Sequence, residues 1–337
     1  MQPFSFHRAE SASQAVRAGR ATGQGQTDAA TQFLAGGTTL VDLMKLDVLR
    51  PRTVVDIMPL SKMFGAIELT ASGLRLGAFA TMAAAAEHPL LLSQFPLIAQ
   101  SLQITASAQL RNTATLGGNV LQRTRCAYFR DPTWAACNKR VAGSGCSAIG
   151  GANRNFAVLG VNDSCISQYP GDFAVALVAL DAKVELVGPD GARTVPLEAL
   201  HRSPGDEPQI ETTLAPGEII TAFDIPSGAW TRRSTYLKVR DRASYEFALA
   251  SAAVALDLDR GMVRNARIGL GGMAYRPWRA REAEALLVGA AVTPATAEAA
   301  ARAALANAVT HGDNDFKPDL ARRTLVQALL QVANTES

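Results

Sequence analysis

The chain has 337 residues, more than one ordinary domain, so we expect two domains or three lobes. With a net charge of +3 and 19% charged residues it has no general affinity for polyanions, and we expect no nucleic-acid partner. No uncharged apolar run reaches the roughly 18 residues of a membrane helix, and the first residues lack the pattern of a secretory signal. We therefore expect no membrane span and no signal peptide.

The first predicted elements form a compact βαβ unit. Residues 32–35 are typical of a short apolar strand, Gly36 and Gly37 of a turn, and the residues from 40 onward of an amphipathic helix. Residues 52–57 predict a second strand, which the short connection places parallel to the first.

The middle of the chain alternates between strand and helix patterns. Residues 73–89 predict a strand that runs into a helix, and residues 95–112 have helical periodicity. Residues 172–197 predict a helix followed by a hairpin, whose turn is Pro189-Asp190-Gly191.

A change of pattern near residue 228 indicates a boundary. Strand-like segments follow, with Asp259-Arg260-Gly261 as a hairpin turn, and then helices. Thr293 is the predicted N-cap of one helix, with Pro294 at its first position, and residues 319–333 predict the last helix.

Two Gly-Gly segments are candidates for binding a phosphorylated cofactor. The stretch "LAGGTTL" (residues 34–40) turns from a strand into a helix, with Thr38 or Thr39 as its N-cap, and exposes backbone N–H groups. The stretch "TATLGGN" (residues 113–119) places hydroxyl and amide side chains around a second glycine pair. Neither is the G-x-G-x-x-G fingerprint, and two unrelated tight turns remain the alternative.

All four cysteines lie in one short part of the chain, with the spacing C-x10-C-x8-C-x18-C. That spacing matches neither a zinc ribbon nor the common ferredoxin motifs. The residues alone leave four alternatives open: a [4Fe–4S] cluster, a zinc ion, two disulfides or free thiols. Arginine and lysine residues nearby would offset the negative charge of either metal–thiolate site, so charge does not choose the metal.

Two further residues have simple structural interpretations. Asp172 begins a predicted helix, where its plainest role is to cap the helix and complement its dipole. Lys238 stands among alternating apolar residues of a predicted strand, and strand lysines are usually solvated.

Taken together, these segments resemble the FAD-binding (medium) subunits of the xanthine dehydrogenase and molybdenum hydroxylase family. "LAGGTTLVDLMK" is similar to the first FAD loop of that family and "TATLGGNV" to the second, while "YLKVRDRASYEFAL" and "IGLGGMAYRPWRA" are similar to later landmarks. The cysteine segment is similar to the FAD subunit of bacterial, periplasmic-type aldehyde oxidoreductases, which carries a [4Fe–4S] cluster.

The resemblance implies an α+β protein with the two-lobed FAD-binding fold of the vanillyl-alcohol oxidase and xanthine dehydrogenase type. Residues 1–228 would form the FAD-binding domain, with lobe 1 at about 1–56, lobe 2 at about 57–228 and an iron–sulfur insert at about 122–168. Residues 229–337 would form a C-terminal domain of antiparallel sheet and helices.

The resemblance also assigns site residues. It places Asp172 near the adenosine side of FAD and Lys238 near the flavin ring. The residues expected to contact the rest of the cofactor come from the two loops: Leu34, Ala35, Gly36, Gly37, Thr38, Thr39, Thr113, Thr115, Gly117, Gly118 and Asn119. The cluster ligands would be Cys126, Cys137, Cys146 and Cys165.

The function implied is electron transfer within a larger enzyme, and no catalytic residue is assigned to this chain. Aldehyde oxidation would occur at the molybdenum cofactor of a large subunit, and [2Fe–2S] clusters of a small subunit would reduce FAD here, in a heterotrimer or its dimer. An external acceptor would take the electrons; no nicotinamide pocket is readable in the sequence, so NAD is not assigned. The complex would be cytoplasmic, or periplasmic by co-export with a partner carrying a twin-arginine signal.

Other interpretations differ in what they predict. A related hydroxybenzoyl-CoA reductase or xanthine dehydrogenase type of complex would use the same FAD site. A stand-alone flavin oxidoreductase would turn over substrate without partners, and a zinc-stabilised binding module would be colourless.

Overall fold

The computed structural model describes residues 1–20 and 28–335. The first sheet has three parallel strands in the order β1-β3-β2. These strands are β1 (Ser5–Arg8), β2 (Thr31–Leu34) and β3 (Thr53–Asp56). Helix α1 (Ala12–Gly19) follows β1, and α2 (Leu40–Lys45) connects β2 to β3. The predicted βαβ unit is confirmed.

The second sheet has five antiparallel strands in the order β4-β5-β8-β6-β7. Its strands are β4 (Ile67–Thr70), β5 (Gly73–Gly77), β6 (Lys183–Gly188), β7 (Gly191–Pro196) and β8 (Ile219–Pro226). A 3₁₀ turn at Met58–Leu60 and helix α3 (Ser61–Phe64) lead into this sheet. The predicted hairpin of β6 and β7 is present, and Gly191 supplies the positive φ of +105° at its turn.

The chain between β5 and β8 contains short helices in addition to β6 and β7. They are α4 (Met82–Ala86), α5 (Pro89–Gln94), α6 (Pro96–Gln103), α7 (Ala108–Thr113), α8 (Leu116–Val120), α9 (Ala127–Arg130), α10 (Asp172–Ala179) and α11 (Leu197–Leu200). All eight residues of α10 are buried: the seven after Asp172 are apolar, as burial on every face requires. The single helical segment predicted over residues 95–112 is wrong in one respect: α6 and α7 are separate, with Ala106 between them at φ +53°.

The third sheet has four antiparallel strands in the order β12-β11-β10-β9. Its strands are β9 (Ser234–Val239), β10 (Ala250–Asp259), β11 (Met262–Gly271) and β12 (Trp278–Arg279). Helix α10 packs closely on β11 because Gly269 and Gly271 have no side chains; a Cβ at either would meet an atom of Val175 at 2.6 Å.

Three helices end the fold: α12 (Arg281–Leu287), α13 (Pro294–Ala304) and α14 (Lys317–Ala333). Helices α12 and α14 pack on this third sheet, and α13 packs on those two helices. Thr293 caps α13 as predicted, in a reciprocal capping box with Thr296. The predicted α+β fold is confirmed. Within the described residues, no helix is long and apolar enough to cross a membrane.

Candidate functional site

The first Gly-Gly segment connects β2 to α2 in a tight turn. Gly37 has φ +73°, a conformation that L side chains rarely adopt. Thr39 occupies the N-cap position of α2, but its side chain makes no capping hydrogen bond. The Thr39 hydroxyl is therefore not used to cap the helix.

The second Gly-Gly segment forms a short helix rather than an open loop. Thr115 caps α8, and its Oγ1 accepts a hydrogen bond from the Gly118 N–H at 3.2 Å. The two segments touch, because a Cβ built on Gly36 would lie 2.1 Å from the carbonyl oxygen of Thr113. Glycine at position 36 is what allows this approach.

A cavity of about 390 Å³ lies where the two segments meet, which is within the usual size of a small-molecule site. Eight of the residues predicted from the sequence border it: Ala35, Gly36, Gly37, Thr38, Thr39, Thr115, Gly117 and Gly118. Leu34, Thr113 and Asn119 do not border it. The Asn119 Oδ1 is buried without a hydrogen-bond partner, so this side chain has unused capacity.

Other residues that border the cavity were missed by the sequence reasoning. They come from distant parts of the chain and include Arg123, Tyr169, His201, Glu211, Tyr275 and Arg276. Burial lowers the pKa of His201 to about 4, so the imidazole is neutral at pH 7. No local pattern marks these residues; only the fold brings them together.

Glu211 is the centre of a buried ion-pair network at the cavity wall. Its two carboxylate oxygens pair with Arg123 and with Lys139, whose Nζ lies 2.6 Å from Oε1. Burial by itself would raise the pKa of Glu211, but the two cations hold it below its ordinary value. The carboxylate is therefore ionised at neutral pH.

Asp172 and Lys238 lie together, away from the cavity lining. Lys238 Nζ donates to Asp172 Oδ2 at 2.7 Å, and the two side chains are 2% and 3% exposed. Tyr236 and Thr105 also donate to the carboxylate, at 2.8 and 2.9 Å. Asp172 begins α10 as predicted, but it makes no capping hydrogen bond. Contacts of either residue with a cofactor stay a prediction.

The segment with the cysteines is held to helix α2 by charged side chains. Arg130 makes two hydrogen bonds to Asp42 of α2, at 2.7 and 3.0 Å, and Arg125 adds a third at 3.2 Å. Arg140 donates to the carbonyl oxygens of Tyr128 and Phe129. These cations thus have protein partners of their own besides any charge on the thiols.

The four thiols are free and share one neighbourhood. Cys137 and Cys146 pair through a backbone β-bridge, and the thiols of Cys146 and Cys165 interact. This interaction lowers the pKa of Cys165 and raises that of Cys146. Burial raises the pKa of Cys126 to about 12, with smaller contributions from Cys165 and Cys137. In the described part of the chain, no three His, Cys, Asp or Glu side chains are arranged to hold a metal ion.

Lys317 ties α14 to the chain on both sides of Cys165. It is fully buried, and its Nζ donates to the Phe156 carbonyl oxygen at 2.9 Å and to Gln168 Oε1 at 2.8 Å. Burial, with a smaller effect of the Arg154 charge, lowers the pKa of Lys317 from 10.5 to about 7. Both acceptors are neutral, so no carboxylate offsets the cost of burying this ammonium.

We expect the Lys317→Met variant to lose a component of the pH dependence of stability. Above pH 7 and up to about 10.5, the unfolded chain holds a proton that the folded chain has released, so the free energy of unfolding rises with pH by up to ~1.4 kcal/mol per unit. Below pH 7 this component is constant. Urea unfolding from about pH 6 to pH 9 should show that the free energy of unfolding of the wild type rises with pH relative to that of the variant. Parallel pH profiles would contradict the assignment, and Lys62→Met at an exposed position should keep the wild-type slope.

Two family models match almost the whole chain. Residues 2–228 match the FAD binding domain in molybdopterin dehydrogenase, and residues 235–332 match the CO dehydrogenase flavoprotein C-terminal domain. The chain is 41% identical over 334 residues to the aldehyde oxidoreductase FAD-binding subunit PaoB of Escherichia coli strain K12, covering 98% of each protein.

More distant relatives and solved structures indicate the same family. The chain is 27% identical to the carbon monoxide dehydrogenase medium chain of Afipia carboxidovorans, over 97% of this chain and 93% of the other. Its structure superposes on a chain of reconstituted CO dehydrogenase from Oligotropha carboxidovorans with a TM-score of 0.75 at 25% identity, covering 99% of both chains. The chain therefore belongs to the FAD-binding subunits of the molybdenum hydroxylase family.

Proposed function

We propose that this chain is the electron-transfer subunit of a molybdenum-dependent aldehyde oxidoreductase and holds FAD in the cavity between its two Gly-Gly segments. The observation that carries the proposal is the cavity itself, which both segments border. The relative that is 41% identical over its full length and bears the name aldehyde oxidoreductase supports the choice of substrate class.

The residues around the cavity suit a cofactor that carries a diphosphate. The glycine-rich turn at residues 35–39 offers backbone and hydroxyl donors, and the Thr115 hydroxyl at the start of α8 can donate from the other side. Neutral donors of this kind suit phosphate oxygens. The Arg123, Arg202 and Arg276 side chains also border the cavity and add positive charge. Bound FAD would supply the ability to take up single electrons and release them in pairs. The chain's own residues would bind it, orient it and shield it from water.

Partners are part of the proposal, because the sequence assigns no site of substrate oxidation to this chain. A large subunit with the molybdenum cofactor would oxidise the aldehyde, and a small subunit with [2Fe–2S] clusters would deliver the electrons. An external acceptor would then take them from this chain.

A [4Fe–4S] cluster held by Cys126, Cys137, Cys146 and Cys165 is also part of the proposal. Its support is that all four thiols are free and lie in one neighbourhood, in a segment bound to the cavity wall through Lys139. The described side chains are not grouped to hold a metal ion in this structure, so a cluster would have to draw the four thiols together. Four cysteine thiolates are the usual ligand set of such a cluster.

Anaerobic purification of the chain with any copurifying subunits tests these assignments. We expect flavin absorption in the purified protein and about four irons per chain beyond the iron of any copurifying [2Fe–2S] subunit. The Cys146→Ser variant should lose these irons and keep the flavin, whereas Ser147→Ala, one residue further on, should keep both. Flavin without these irons, or with zinc in their place, would overturn the cluster assignment and leave the FAD site. A colourless protein would overturn the proposed function.

A further inference from the structure

Lys139 is buried between the wall of the cavity and the cysteine segment. Its side chain is 2% exposed, and its Nζ donates to Glu211 Oε1 and Tyr275 Oη, each at 2.6 Å, and to the Pro208 carbonyl oxygen at 3.3 Å. The ammonium also lies 4.4 Å from the centre of the Tyr275 ring. Its three N–H donors thus have three protein acceptors, which fixes the charge in place.

This ammonium faces two different sites. Glu211 and Tyr275, which accept its hydrogen bonds, both border the cavity. Towards the cysteine segment, Lys139 stands two residues after Cys137, and the neighbouring Asn138 side chain donates to the Ser164 carbonyl oxygen at 2.9 Å, beside Cys165. Lys139 is therefore a buried cation that joins the wall of the proposed flavin site to the segment with the proposed cluster ligands.

Glu211, Arg123 and Lys139 together carry one net positive charge, before any charge on the cysteine thiols is counted. Glu211 already forms an ion pair with Arg123, so Lys139 leaves an excess of one positive charge among these three side chains. A buried charge is weakly screened and acts over longer distances than a surface charge. Burying the Lys139 ammonium costs desolvation free energy, although a neutral side chain at position 139 would still leave Glu211 paired with Arg123.

We infer that Lys139 is a positioning residue for electron transfer: its buried ammonium orients Tyr275 and Glu211 at the cavity wall and favours the added negative charge of the reduced flavin. The inference rests on the proposed function, because it requires FAD in this cavity. It assigns to this chain a determinant of the reduction potential that belongs to neither of the two Gly-Gly segments.

Redox titration of the flavin in the purified protein, with any copurifying subunits, tests the inference. Lys139→Met should shift the reduction equilibrium roughly tenfold toward oxidised flavin, or about 30 mV more negative for a two-electron couple. Glu211→Gln removes a negative charge from the same network and should shift the potential in the opposite direction. Lys139→Arg, which keeps the charge, should stay near the wild type, as should Lys62→Met on the exposed face of α3.

The opposite signs separate an electrostatic role from a structural one. Shifts of the same sign in Lys139→Met and Glu211→Gln, or no shift in either with flavin content unchanged, would overturn the inference. If Lys139→Met does not fold, a positive shift in Glu211→Gln with a wild-type potential in Lys139→Arg supports it, and any other result from these two overturns it. A wild-type protein without flavin would overturn the proposed function, and the inference with it.

Discussion

The Gly36→Ala variant is expected to bind FAD at least tenfold more weakly than the wild type, a loss of about 1.4 kcal/mol or more. The new Cβ would lie 2.1 Å from the Thr113 carbonyl oxygen and 2.8 Å from its carbonyl carbon, and backbone atoms cannot rotate away as a side chain can. The two segments that border the cavity must then separate. Forcing an extra carbon into packed structure typically costs about 1–3 kcal/mol.

A matched variant distinguishes this separation from a general effect of adding a methyl group beside the cavity. A Cβ on Gly117, which also borders the cavity, would meet its nearest neighbours in Ala78 at 3.2 Å, so a shift of a few tenths of an ångström accommodates it. Flavin content per chain and a fluorescence titration with FAD should therefore show a much larger loss for Gly36→Ala than for Gly117→Ala. Equal binding in Gly36→Ala and the wild type would contradict the role given to the contact.

Local patterns predicted the parts of the fold that local interactions determine. The β2-α2-β3 unit follows from strand and helix periods joined by a glycine turn, and the start of α13 follows from Thr293 and Pro294. The break between α6 and α7 was missed because the apolar periodicity continues through it. The left-handed conformation of Ala106 depends on tertiary structure, and no local sequence pattern indicates it.

The candidate site, too, could be predicted only where a local sequence pattern marks its residues. Glycine pairs with neighbouring hydroxyl residues are visible in the sequence, and the residues at 35–39 do border the cavity. Glu211 and Tyr275 were not predicted, because a single acidic or aromatic residue outside a helix or strand has the same local pattern as a surface residue. Their role depends on contacts across more than 60 residues of chain, such as the hydrogen bonds of Lys139 to both.

Removing the charge of Asp172 is expected to lower the free energy of unfolding by about 3–5 kcal/mol, because Asp172→Asn leaves the Lys238 ammonium buried without a carboxylate. Lys238→Met should cost less, since Tyr236 and Thr105 still donate to the carboxylate. The double variant carries neither charge and should recover much of the loss. Denaturant unfolding measures all three, with Asp241→Asn at the half-exposed Arg154 pair as a control that changes little. Additive losses in the double variant would contradict a coupled buried pair.

The same double variant tests whether Asp172 and Lys238 also contact the cofactor. The resemblance predicts this contact, although neither residue borders the cavity. If Asp172 and Lys238 only tie the start of α10 to β9, a neutral pair that restores stability should restore flavin content as well. If they contact FAD, the restored fold will still bind it more weakly, because the charges themselves are missing. Measuring flavin content and unfolding free energy on one preparation separates the two roles, since only a cofactor contact lets binding fall while stability recovers.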